Sequence, residues 1–159
     1  MTKPSFVYVT YIATTPEKMW RALVDTEVMR KYWADPTAND PAHENVSDWR
    51  PGSRWEHRRV DDTHTVDMVG KVVESTPPRR LAFTWARPKE AEDDAKHSRV
   101  TFDIEPHGEG LIRLTVTHAD LERDPKMFEG ISGGWPKILS NLKTLLETGR
   151  ALSRSPSAT

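Results

Sequence analysis

The chain contains no cysteine, which rules out disulfides, thiolate nucleophiles and cysteine-ligated metal sites together. An excess of either charge is missing too. The 23 basic residues stand against 24 acidic ones, a formal net charge of −1, so the electrostatic argument for a nucleic-acid partner is absent. No apolar run approaches the length of a membrane span, and Phe6 to Ala13 is too short and too polar for a secretory signal. These absences lead to the expectation of a soluble, cytoplasmic protein. A length of 159 residues suits a single domain, expected over 6–152, with the small polar stretch 153–159 expected as a disordered tail.

Against these absences stand six tryptophans and one strongly patterned segment. From Ile131 to Leu152 the side chains of Trp135, Ile138, Leu139, Leu142, Leu145 and Leu146 fall at offsets 0, 3, 4, 7, 10 and 11, the repeat of one helical face. Burying each is worth roughly 1.5 to 3 kcal/mol, so this face needs a broad apolar partner. Only a sheet can supply it. Phe6 to Ala13 is dense in β-branched and aromatic residues and reads as a strand buried on both faces. Thr15 then caps a helix with Pro16 in its first turn, and Thr26 to Trp33 reads as a second short helix. Ala34 to His43 is a loop. Strand segments follow at Glu44–Asp48, Arg54–Val60, Thr65–Glu74, Arg80–Ala86, Ser98–Glu105 and Leu111–His118, with turn signals or a charged loop, Arg87 to Lys96, between them. Connections of this kind suit an antiparallel meander.

Alternation assigns the faces. Trp55 and His57 share a side; so do Leu81, Phe83 and Trp85; Val100, Phe102 and Ile104; and Ile112, Leu114, Val116 and His118. The expected fold is therefore α+β, a curved antiparallel sheet of six or seven strands around a long C-terminal helix, with two short helices after the first strand.

Local wording supports this order of elements. Thr15-Pro16-Glu17-Lys18-Met19-Trp20-Arg21-Ala22-Leu23 resembles the opening of the SRPBCC superfamily, the helix-grip fold of START domains and the birch-pollen allergen. Trp33, the turn Pro51-Gly52-Ser53-Arg54-Trp55, Gly70 to Glu74, Pro77 to Trp85, Thr115 to His118 and Gly134-Trp135 resemble the branch named after the C-terminal domain of the activator of the heat-shock protein 90 ATPase. Pro51-Gly52 stands where that branch commonly has two glycines. The resemblance covers Phe6 to Leu146 and implies a cavity between sheet and helix, which in many relatives holds a lipid, polyketide or flavonoid. It implies less about a chaperone of the heat-shock protein 90 type, because the eukaryotic activator has a separate N-terminal domain that makes much of that contact. A stress-response role follows only from the family name.

Several short motifs compete with these readings. Gly130-Ile131-Ser132-Gly133-Gly134 matches G-x-S-x-G, yet no strand precedes it, as a nucleophile elbow requires. Glycines that let a helix kink or lie close to the sheet explain it better. Asn45-Val46-Ser47 fits a glycosylation acceptor by chance. The six histidines show no metal-ligand spacing, so no metal and no cofactor are expected. His64, His97 and His107 fall in turns and are expected in solvent. His57 and His118 lie on the apolar face, each either hydrogen-bonded at a strand end or a polar anchor in a cavity. Trp20, Trp33, Trp55, Trp85 and Trp135 either fill the core or line a pocket. The candidate ligand site comprises Trp55, His57, Met68, Phe83, Trp85, Phe102, Leu114, Val116, His118, Trp135, Leu139 and Leu142. The expected function is non-catalytic binding of a hydrophobic small molecule there. A cyclase or hydrolase using His57 or His118 is the alternative, and it needs an acidic or hydroxyl partner beside one ring.

Overall fold

The computed structural model describes residues 5–38 and 41–152; the expected tail lies outside them. Strand β1 (Phe6–Ile12) leads into α1 (Pro16–Val24) and α2 (Thr26–Tyr32). The meander follows as β2 (His43–Val46), β3 (Arg54–Arg59), β4 (Val66–Thr76), β5 (Arg80–Trp85), β6 (Ser98–Pro106) and β7 (Ile112–Ala119), and the chain closes with α3 (Pro125–Thr148). All seven strands form one antiparallel sheet in the order β1-β7-β6-β5-β4-β3-β2. Register shifts after His57 and after Val72 bend it, and it curls around α3 as a half-barrel.

Local chemistry sets the element ends. The Thr15 hydroxyl accepts from the Lys18 N–H to start α1, with Pro16 at the first helical position. Asp25 serves two helices: its N–H bonds the Arg21 carbonyl to close α1, and its carboxylate accepts from the Glu27 N–H to open α2. One shared capping residue makes the V between the helices tight. At α3 the Asp124 carboxylate accepts from the Met127 N–H at 3.0 Å, and Gly149 ends the helix in the left-handed region at φ 85°.

Two expectations are corrected. Helix α3 begins at Pro125, not Ile131, and runs through Gly130, Gly133, Gly134 and Pro136 to Thr148. Its first turns hold Met127 and Phe128 against the core, and that packing outweighs poor intrinsic propensity. Strand β1 is not buried on both faces, because it is an edge strand with no layer over its outer side. Val7, Val9 and Tyr11 are exposed there, while Ile12 is fully buried.

The core lies between the concave face of the sheet and α3. Trp135, Leu139, Leu142 and Leu145 are buried in it; Ile138 and Leu146 sit half-buried at its margin. Asn141 fixes the position of the helix. Its amide nitrogen donates to the carbonyls of Tyr32 (3.1 Å) and Ala34 (2.7 Å), and its oxygen accepts from the Leu152 N–H (3.0 Å).

Candidate functional site

Where the first half of α3 passes over the sheet, four rings from four elements meet. Trp33 stands at the C-terminal cap of α2, His57 on β3, Trp85 at the end of β5 and Trp135 on α3. Ring centres are 5.7 Å apart for Trp33–Trp135, 5.9 Å for Trp85–Trp135, 5.2 Å for Trp33–His57 and 5.6 Å for His57–Trp85. Together with Gly130, Ile131, Gly134 and Ile138 they line a cleft of about 200 Å³. Its mouth is kept open by the glycines of the G-x-S-x-G segment. A Cβ built at Gly130, Gly133 or Gly134 meets nothing within 4 Å. The close approach expected for these glycines is therefore absent, and each lowers helix stability with no packing gain. Ser132 lies within the helix and donates to the Phe128 carbonyl, so no nucleophile elbow forms.

A close approach occurs instead at Gly70. Trp55 is its cross-strand partner and donates its indole N–H to the Thr84 carbonyl at 2.6 Å. Any Cβ on Gly70 would collide with that carbonyl oxygen and with the indole nitrogen. Trp55 is thereby laid over the strand, at the floor of the core.

The two inward histidines differ in kind. His118 is fully buried and hydrogen-bonded on both nitrogens. The Trp135 indole donates to Nδ1 at 3.1 Å. Indole can only donate, so Nδ1 carries no proton and Nε2 does. Nε2–H then donates to the Ser98 hydroxyl at 2.8 Å, and Ser98 donates to the Trp85 carbonyl at 3.1 Å. The hydroxyl partner that a catalytic histidine needs is thus present, but in the wrong tautomer: Nε2 cannot take a proton from Ser98. Desolvation lowers the His118 pKa to about 4.

His57 donates from Nδ1 to the Asn45 side-chain oxygen at 2.6 Å, which leaves Nε2 as an acceptor. Among the described residues no group bonds it. The residue is 7 % exposed, and its ring stacks on His43 with centres 4.4 Å apart, while His43 Nε2 and Arg59 both reach the Asp67 carboxylate, at 2.8 and 2.9 Å. Desolvation, then the charge of His43, lowers the His57 pKa to about 3. It is a neutral acceptor at ordinary pH.

Of the expected ligand residues, His57, Trp85 and Trp135 line this cleft. Trp55, Phe83, Phe102, Leu114, Val116, Leu139 and Leu142 belong to the packed core beneath it. His118 stands behind Trp135, and Met68 is the half-buried cross-strand partner of His57. Reading the residues by face did not place Gly130, Ile131, Gly134 or Ile138 among the ligand residues. Their signal was present: Ile131 and Ile138 stand one helical turn to either side of Trp135, and Gly130 and Gly134 are four apart. Nor is His97 solvated; it is half-buried, bonding Thr84 Oγ1 and facing the carbonyls of Glu90 and Ala91. A second hollow, about 440 Å³, borders Trp85 and is walled by ionic groups such as Arg87, which pairs with Asp124 and Glu90. Among the described residues no group of histidine and carboxylate side chains could hold a metal ion, and no helix is long and apolar enough to cross a membrane.

The profile of the family described as Activator of Hsp90 ATPase homolog 1-like protein matches residues 13–147. The chain belongs to this family. The matched span runs from just before α1 to the end of α3 and so contains every side chain of the tryptophan cleft. Solved structures share the fold. A protein of Mesorhizobium loti is 25% identical, with 90% of this chain and 96% of that one covered at a TM-score of 0.66. The Aha1 dimer of Colwellia psychrerythraea is 19% identical, covering 93% and 99%, at 0.71. An HSP90 activator from Plasmodium falciparum is 19% identical, covering 89% and 95%, at 0.69. No curated protein matches the chain. Within this Hsp90-activator-like family, the helix-grip frame places the cleft between the end of β5 and the glycine-bearing half of α3.

Proposed function

We propose that this protein binds a compact aromatic small molecule in the cleft lined by Trp33, His57, Trp85 and Trp135. The observation that carries the proposal is the glycine segment of α3. A Cβ at Gly130 or Gly134 would meet nothing within 4 Å; the two glycines weaken their helix and leave open a space walled by three indoles. A volume of about 200 Å³ exceeds the roughly 150 Å³ of an apolar cavity that takes benzene and falls below the roughly 300–1,000 Å³ of drug-sized pockets. One or two fused rings fit; of a lipid or polyketide, only a terminal portion would be enclosed. Neutral histidines with depressed pKa values favour binding over acid–base chemistry.

The test is quenching of tryptophan fluorescence by two-ring aromatics, repeated on Gly134→Leu. Saturable quenching that the Leu side chain abolishes is the expected result. Quenching that is linear in ligand, or unchanged by Gly134→Leu, would reject the site. A chaperone-associated role has one support, the family match together with the fold shared with the Plasmodium HSP90 activator. Co-purification with a heat-shock protein 90 from the same source tests it.

A further inference from the structure

The two edges of the sheet are finished differently. At β2 the outward N–H groups are taken up by α2 and its cap: His43 donates to the Trp33 carbonyl at 2.8 Å and Asn45 to the Met29 sulfur at 3.1 Å. At β1 only one end is closed. Lys143 of α3 donates to the Tyr11 carbonyl, and the Ala13 N–H donates to Glu147 at 2.9 Å. Backbone groups alternate in direction along a strand, so these two bonds show that the odd-numbered residues of β1 turn their N–H and C=O away from β7. The same groups of Val7 and Val9 therefore lie open at the edge, and among the described residues none bonds them.

Charge, proline, a bulge or a covering helix normally blunts a sheet edge, because an open one pairs with other strands. Strand β1 (FVYVTYI) has no charge, proline or glycine, and its register with β7 is unbroken over seven residues. Its outer side chains are apolar, with Val7 56 % and Val9 50 % exposed. The occupant these features fit is a second copy of the chain. A two-fold contact sets one strip against itself, so any net charge on the strip is repelled by its own copy. Here there is none, and at the closed end Lys143 and Glu147 neutralise each other. No residue of β1 lines the cleft or the ionic hollow, which could have selected the side chains of a foreign peptide. Lys143 also decides the register. Setting Val9 against itself would bring Val7 to the occupied Tyr11 carbonyl, whereas Val7 set against Val9 uses open groups alone. We infer that this protein self-associates through antiparallel pairing of β1 with β1 of a second copy, Val7 opposite Val9, each pair exchanging both N–H···O bonds. A contact one strand long falls short of the roughly 1,200–2,000 Å² that specific, stable interfaces bury. The dimer is therefore weak and governed by concentration.

Sedimentation of the full chain over about a hundredfold range of concentration tests this. Expected is a rise from monomer towards dimer mass. Hydrogen exchange at the Val7 and Val9 amides should slow as the dimer forms, with no change at Tyr8 and Thr10, whose amides face β7. Val7→Lys combined with Val9→Lys sets like charges directly opposite one another across the pair and should weaken dimerisation about tenfold, with the unfolding midpoint unchanged because both positions are exposed. Val7→Lys combined with Val9→Glu sets unlike charges opposite and should restore it. A chain that stays monomeric at every concentration overturns the inference, as does a dimer that the double lysine leaves intact or that lysine with glutamate fails to restore. Protection of the Val7 and Val9 amides in the monomer overturns it too, because the chain would then be covering its own edge. Should the double-lysine chain not fold, mass and amide exchange of the unaltered chain decide.

Discussion

His57 and His118 reach the same buried face by the same alternation, and their hydrogen bonds separate them. His118 is closed on both sides by Trp135 and Ser98, which makes it part of the core. Replacing it by Phe strands the Trp135 N–H, because Ser98 keeps its bond to the Trp85 carbonyl. The expected loss is about 1–3 kcal/mol, read from urea unfolding. The pair also predicts a pH dependence. Both folded pKa values are depressed, to about 3 and about 4, so the unfolded chain takes up protons first as pH falls. Their contribution is complete above the unfolded histidine value near 6.5 and is lost towards pH 4 and 3. Between pH 7 and pH 5 each should remove about 2 kcal/mol of stability. Unfolding midpoints at the two pH values check this. Ring-proton shifts of both residues that stay flat from pH 8 to 5 should accompany it; titration near 6.5 would contradict their burial.

Element by element, glycine gives the sharpest contrast. Gly130 and Gly134 lie in α3 with open space where a Cβ would go. Gly130→Ala and Gly134→Ala should each stabilise the protein by about 0.5–1 kcal/mol, raising the thermal midpoint. Gly70→Ala should do the opposite, since its Cβ would strike the Thr84 carbonyl and the Trp55 indole. Loss of more than about 2 kcal/mol is expected, the range of a forced overpacking, with a blue- or red-shifted Trp55 emission as the signature of a displaced ring. The three glycine sites look alike in sequence. Only the path of Trp55 across β4 makes one of them obligatory.

For the whole molecule, the decisive contacts join parts of the chain more than a hundred residues apart. Asn141 links α3 to the carbonyls that end α2 and to Leu152, and so sets how far the helix stands from Trp33. Asn141→Ala should cost about 1–3 kcal/mol, because the Ala34 carbonyl and the Leu152 N–H lose their partner while the Tyr32 carbonyl keeps the Ala34 N–H. It should also change the width of the cleft, checked by urea unfolding together with the affinity for a two-ring probe. The architecture itself was readable from sequence, since six of the α3 side chains follow one helical face and strands β3, β5, β6 and β7 alternate. The start of α3 was not, because three glycines and Pro136 hide a helix that is held by tertiary packing.

Residue order alone determined which faces are apolar, where the turns fall and hence the helix-grip arrangement, because periodicity and turn chemistry act over a few neighbouring positions. The tertiary structure decided where the space is. Most of the expected ligand residues fill the core, and the remaining opening lies where glycines on α3 meet Trp33, His57 and Trp85. That opening depends on the distance between packed elements, and on which nitrogen of each imidazole is already bonded, neither of which any local pattern encodes.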